Sequence, residues 1–240
     1  MIKQKIIAPA LTSLMLAGLT SCSSLETKYG FPATFEEVVD PSKTNSEELL
    51  TEYSNSNFNP QGFLAEGTLY YMNENVGTMK VKIAENSESL TNSYIYVDFS
   101  IEGVAMKVET YQIAEDGYTY TNSSVTVNTN GQDLSYSNKS KEVYGLDTPF
   151  STTMSDLSNN FSSAALRNFT NIGVSSDNYL VCEENADQTF ARVVIDVEKG
   201  APVFIAAQFE IQNYTFICNF DVSFDKQSAI TAPSDAASYK

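Results

Sequence analysis

The stretch Ser93-Tyr94-Ile95-Tyr96-Val97-Asp98-Phe99-Ser100-Ile101 alternates without a break. Ile95, Val97, Phe99 and Ile101 fall on one side; Tyr94, Tyr96, Asp98 and Ser100 fall on the other. Successive side chains of a strand point to opposite faces, so this period of two reads as a β-strand with one buried face. Glu102-Gly103 then signals a tight turn, and residues 104–113 return with Val104, Met106 and Val108 aligned. Upstream, residues 67–72 read as a strand and Asn73-Glu74-Asn75 as a turn. Residues 78–83 set Met79, Val81 and Ile83 against Lys80 and Lys82. Downstream, Asp116-Gly117 marks a hairpin before residues 118–121, and Val125-Thr126-Val127, Asn130-Gly131 and Leu134-Ser135-Tyr136 spell another.

The period changes after Pro149. Phe150, Met154, Leu157, Phe161 and Ala165 recur at spacings of four, three, four and four, which predicts one apolar stripe on a helix over 150–168. Ser151 or Thr152 would cap it. Four further strands follow, at 178–182, 190–198, 203–211 and 214–224. Their aligned apolar sets are Ala191, Val193, Ile195 and Val197, then Val203, Ile205, Ala207 and Phe209, then Tyr214, Phe216, Cys218, Phe220 and Val222. Ten or eleven short strands with one long helix leave too few helices for a βα repeat. The expected fold is mainly β (α+β): a single, strongly curved antiparallel sheet, a half-barrel wrapped around one long helix.

Composition narrows the function. The 240 residues carry 30 acidic against 14 basic side chains, a net charge of −16, and no histidine. Such a chain repels phosphate backbones, so no nucleic-acid partner is expected. Without histidine there is no Ser-His-Asp triad, no Cys-His pair and no His-ligated zinc or haem. No Ser-x-x-Lys falls on a helix, and no stretch has the spacing of an Asp-rich calcium loop. The expectation is a protein that is not an enzyme and holds no metal or cofactor.

The N-terminus reads as an address. Lys3 and Lys5 precede a 14-residue apolar or small run at 6–19, too short to span a membrane comfortably. It suits the central region of an export signal. Leu19-Thr20-Ser21-Cys22 follows and resembles the bacterial lipobox. The resemblance implies a diacylglycerol on the Cys22 sulfur, cleavage after Ser21 and an extracytoplasmic protein anchored to the cell membrane by its lipid. Two acyl chains anchor stably where one does not. Losing residues 1–21 removes two lysines and no acid, so the 14 basic residues become 12 against 30 acidic ones, a net −18. That charge disfavours adhesion of the domain itself to an anionic surface. The organisation expected is a signal peptide at 1–21, a lipidated flexible tether at 22–44 and a domain at 45–240. The domain opens with a short capped helix near residues 45–53.

The order of lipid anchor, short helix, meander, Pro-flanked helix and second meander resembles the LolA-like surface lipoproteins of Gram-positive bacteria. The carrying segments are Met79-Lys80-Val81-Lys82-Ile83, Asp116-Gly117-Tyr118, residues 175–181 (SSDNYLV) and the ending at 230–236, so the resemblance covers 45–236. It implies a sheet wrapped around a helix over an apolar interior, which some relatives use to hold lipid, and it carries over no catalytic residue.

Three sets of residues remain. With Cys22 assigned to lipid, Cys182 and Cys218 fall on the first and fourth strands of the second meander. That is about 14 Å apart at ~4.8 Å per strand, beyond the ~7 Å a disulfide spans. Two buried free thiols are expected. Glu36-Glu37, Glu47-Glu48 and Glu183-Glu184 read as solvated acidic surface, and Arg192 as either a buried clamp for a carboxylate or a surface residue. The eight tyrosines of the first meander (70, 71, 94, 96, 111, 118, 120 and 136) read as the ordinary outer face of a sheet, or else as a binding surface.

Two functions follow as expectations. In the first, apolar sheet face exceeds what one helix covers, and a lipid or other hydrophobic ligand sits between sheet and helix. Ile95, Val97, Phe99, Met154, Phe161, Val193, Ile195, Phe209, Phe216 and Phe220 would line its cavity. In the second, the core is dry, and an envelope protein or wall polymer binds the Tyr-rich, acidic surface.

Overall fold

The computed structural model describes residues 45–240, apart from residue 73 and residues 87–89, 145–152, 176–177, 187–188 and 212–213. The expected signal peptide at 1–21, Cys22, the expected tether at 22–44, Glu36-Glu37, Phe150, and Ser151 and Thr152 as expected caps therefore lie outside the described residues.

The chain is mainly β, built on one antiparallel sheet of eleven strands. The first meander comprises β1 (Phe63–Tyr71), β2 (Glu74–Glu85), β3 (Thr91–Ile101), β4 (Val104–Ile113), β5 (Tyr118–Thr129) and β6 (Gln132–Val143). The second comprises β7 (Asn171–Val174), β8 (Leu180–Ala186), β9 (Thr189–Asp196), β10 (Ala201–Ile211) and β11 (Tyr214–Ser223). The two join where β1 pairs with β11, giving the order β6-β5-β4-β3-β2-β1-β11-β10-β9-β8-β7, with β6 and β7 as its ends. At that seam Gly67 lies opposite Phe220. A Cβ on Gly67 would come within 2.6 Å of the Phe220 ring and 2.7 Å of the Cys218 sulfur. Only a residue without a side chain lets the two meanders close there.

Turn chemistry sets the register. Asn130 and Gly131 both have positive φ, 54° and 79°. This is the left-handed pair that a two-residue hairpin needs to match strand twist. Val127 therefore faces Leu134, and Val125 faces Tyr136.

The helices differ from expectation. The single helix over 150–168 is two short ones, α2 (Met154–Asn160) and α3 (Ser163–Leu166), while α1 (Ser46–Asn55) is the longest. Thr153 caps α2 in a reciprocal box: its hydroxyl accepts from the Asp156 amide, and its own amide donates to the Asp156 carboxylate. The break comes at Phe161-Ser162. Ser162 adopts extended backbone, and its hydroxyl accepts from the Ala165 amide, so it starts a new helix. Ser and Asn compete well for such capping positions and poorly for helix interiors. The break shifts the stripe by one residue, and Leu166 is buried where Ala165 was expected. A further strand, β7, also precedes the four expected ones.

One face of the sheet, called inner here, carries the main core. Leu49, Leu50 and Tyr53 of α1, Leu157 of α2 with Phe161 at its C-cap, and Leu166 of α3 pack on it. Phe58 and Phe224 stack between helices and sheet, with Phe224 ring centroids 4.9 Å from Phe58, 5.1 Å from Phe161 and 5.2 Å from Phe63. The Tyr53 hydroxyl donates to the Phe161 carbonyl at 2.8 Å, tying α1 to the break between α2 and α3.

Candidate functional site

The ten residues expected to line a cavity sit as follows. Ile95, Val97 and Phe99 are on β3, Val193 and Ile195 on β9, Phe209 on β10, Phe216 and Phe220 on β11. Met154 opens α2, and Phe161 ends it. Eight of the ten are buried; Met154 is half-buried, and the Phe209 side chain is outside the described residues. The eight belong to one cluster and are covered by the chain itself. The cover exceeds the expected helix stripe, because α1 contributes three buried side chains and the loop residues Phe58 and Phe224 add two rings.

Cover runs out toward β6. Directly paired residues of an antiparallel sheet share a face, so two rows can be followed across the inner side. One runs Phe99, Met106, Val125, Tyr136; the other runs Ile101, Val104, Val127, Leu134. Phe99 and Met106 are buried and Val125 is half-buried, while Tyr136 is 67% exposed. In the second row Ile101 is buried, and Leu134 is 51% exposed. The apolar face of the core thus continues past its covering helices to the end strand of the sheet, β6. Among the eight tyrosines, Tyr136 is the one on this row, and the Asn130-Gly131 turn held the register that places it there.

The outer face of the first meander is not bare. Residues 225–240 run back across it. The Lys82 ammonium donates to the Ser228 hydroxyl and the Asn92 amide to the Ile230 carbonyl, and Lys139 pairs with Asp235. Lys240 exchanges backbone hydrogen bonds with Lys139 and Lys141 on β6. Ala84, Ile113, Tyr120, Ile230 and Tyr239 form a second core there, with Tyr94, Tyr111 and Tyr118 against it. Four of the eight tyrosines are therefore partners of the tail. The tail's small, polar composition concealed this, although its Ile230 and Tyr239 were the signal.

The charged groups also separate. Glu183 and Glu184 are both buried rather than solvated, and they point to opposite faces. Glu183 takes two bonds from Arg192, at 2.7 Å from Nε and 2.5 Å from Nη2. Arg192 is thus the buried clamp, one of the two readings left open by the sequence. Glu184 accepts from the amide and hydroxyl of Thr170, just before β7. Glu47 is exposed and pairs with Arg167 at 2.5 Å. Cys182 and Cys218 are free and buried, on strands three places apart. Burial pushes the Cys182 thiol up to about 12 and Cys218 well above its ordinary range; both are packing groups rather than nucleophiles. Among the described residues no group of three or more Cys, Asp or Glu side chains is placed to hold a metal ion.

No protein-family model matches this chain, and no curated protein does.

Proposed function

We propose that the chain is an extracytoplasmic lipoprotein that binds rather than catalyses. It is held to the membrane by lipid on Cys22 and contacts an envelope protein or wall polymer through the open inner face at β5 and β6. The supporting observation is the pair of rows that end in Leu134 and Tyr136. They place a large aliphatic and an aromatic side chain in water beside half-buried Val125 and Val127. Aromatic groups flanked by Ser and Asn make contact surfaces of low ordering cost. In this reading the sheet curves around its helices as in the LolA-like lipoproteins.

The anchor is tested by Cys22→Ser, which releases the protein from the membrane fraction. The surface is tested by photo-crosslinking from position 136 in cell envelopes, with Leu134→Ser/Tyr136→Ser as competitor. Loss of one discrete adduct with unchanged melting supports the reading. Undiminished competition by the double variant rejects it.

A hydrophobic ligand between sheet and helices is the second reading. What favours it is the slight hold on α2 and α3, seven and four residues long and seated by Leu157, Phe161 and Leu166. Helices this short have little stability of their own. Organic extraction of protein purified from its own envelope, followed by mass spectrometry, decides: one stoichiometric lipid supports this reading, and a clean extract ends it.

A further inference from the structure

The hairpin of β5 and β6 uses its two faces differently. On the outer face the polar side chains are already engaged. Thr126 and Ser135 share a hydrogen bond of 2.9 Å, and the Asn128 amide donates to the Asp133 carboxylate at 2.8 Å. Lys139 pairs with Asp235, and the Lys141 ammonium lies 3.7 Å from the Tyr118 ring centroid. On the inner face two further rows run beside the one that ends in Tyr136. They are Val97, Val108, Ser123, Asn138 and Ile95, Thr110, Thr121, Ser140. Each starts in the core and turns polar before it reaches β6. Thr110 and Thr121 meet at 3.4 Å. The side chains of Ser123, Asn138 and Ser140 have no hydrogen-bond partner among the described residues.

Charge is sorted in the same way. Asp133, Lys139 and Lys141 face outward, and of the inward side chains of β3–β6 only Glu142, at the end of β6, is charged. A chain with 30 acidic and 14 basic side chains thus keeps one broad neutral face. A charged polymer would give up hydration there without meeting a countercharge. Two exposed large apolar side chains, Leu134 and Tyr136, make a small apolar centre for a protein interface. Hydroxyl and amide side chains both donate and accept hydrogen bonds. Their natural complement is a partner whose own uncharged groups do both and which also offers an apolar C–H face to an aromatic ring. Sugars have both properties.

We infer that the inner face of β5–β6 takes an uncharged polysaccharide, stacked on Tyr136 and hydrogen-bonded by Ser123, Asn138 and Ser140. This names the ligand class for the open face and rests on the proposal that this face is a contact surface. From Tyr136 to Ser140 is about 14 Å along the strand, longer than a single sugar ring. The groups are therefore laid out for a chain lying along β6 rather than for a monosaccharide.

The test is native electrophoresis of the full chain, in mild detergent, through gels each cast with one neutral polysaccharide: a β-glucan, a xylan, a mannan or a galactan. The net charge of −16 drives the protein through each gel, so retardation reads binding. Retardation is expected in at least one. Tyr136→Ala, and separately Ser123→Ala/Asn138→Ala, should each weaken it by about tenfold or more, with unchanged urea midpoints. Tyr136→Phe keeps the ring and should retain most of it. No retardation in any neutral gel, retardation indifferent to Tyr136→Ala, or retardation only in gels cast with a polyanion or polycation overturns the inference. Crosslinking from position 136 separates it from the proposal beneath it. A discrete protein adduct without retardation keeps the contact surface and ends the polysaccharide inference, whereas absence of both adduct and retardation ends both.

Discussion

Tyr239, the penultimate residue, stands edge-on to Tyr120 of β5, with ring centroids 5.8 Å apart and planes at 85°. The geometry is the favoured one for aromatic pairs and is worth about 0.5–1.5 kcal/mol beyond the area buried. Residues 225–240 are thus a structural element. Tyr239→Ala is expected to cost about 2–4 kcal/mol, read as a lower urea midpoint, because Tyr239 is buried among Tyr111, Tyr120 and Ile113. A loss below 0.5 kcal/mol would mean that the tail merely rests on the sheet.

The Arg192–Glu183 pair makes a sharper prediction. Both side chains are largely out of water. Glu183→Gln leaves the guanidinium buried without its countercharge and is expected to destabilise by roughly 3–5 kcal/mol. Replacing both together, Arg192→Met with Glu183→Leu, should cost far less, since apolar groups of similar size suit the site. Equal losses in the two variants, measured by urea melts, would contradict this.

The Tyr53 hydroxyl bond to the Phe161 carbonyl gives a small, local effect. Tyr53→Phe keeps the ring and strands a buried carbonyl, at a cost of about 1–3 kcal/mol. Exchange should quicken at 154–166 more than in β3, because the bond ties the α2–α3 break to α1.

Two pH limits follow. Cys182 is raised from 9.0 to about 12, so its neutral form is favoured in the fold. A raised value contributes stability fully present below pH 9 and lost as pH climbs toward 12. Melting temperature should fall across that window, and Cys182→Ala should flatten the slope. On the acid side, Asp235 lies below its ordinary 3.8 because the Lys139 ammonium bonds to it. Burial alone would raise Glu115, but bonds from Asn92, its own backbone and Asn86 outweigh that and hold it below 4.5. Depressed values contribute stability present above the ordinary range and lost as pH falls below it. Exchange at 228–240 should therefore quicken below about pH 4, before β3 responds. Simultaneous loss would refute the ordering.

Much of the sheet was legible because its cues are local. The alternation at 93–101 assigns Ile95 and Val97 to the core, and the Asn130-Gly131 turn alone sets the pairing that brings Tyr136 beside Val125. The spacing of Cys182 and Cys218 argued against a bond between them in a simple meander, and the strand order keeps them three places apart. The helix at 150–168 misled because five apolar residues kept a helical spacing across Ser162, whose capping role depends on backbone shape rather than hydropathy. The tail offered only Ile230 and Tyr239 as a signal, and the burial of both Glu183 and Glu184 offered none, because each depends on strands or segments distant in the chain. Period-two reasoning finds the faces of a sheet but does not count its layers.

The β1–β11 seam has a consequence in time. Leu64 pairs with Ser223, and Tyr70 with Ile217, so one edge of the first meander waits for the last of the described strands to be synthesised. Local hairpins close early, whereas pairings distant in the chain close late. A chain delivered N-terminus first holds β1 open to the wrong neighbour until β11 emerges, and that interval is when aggregation competes with folding.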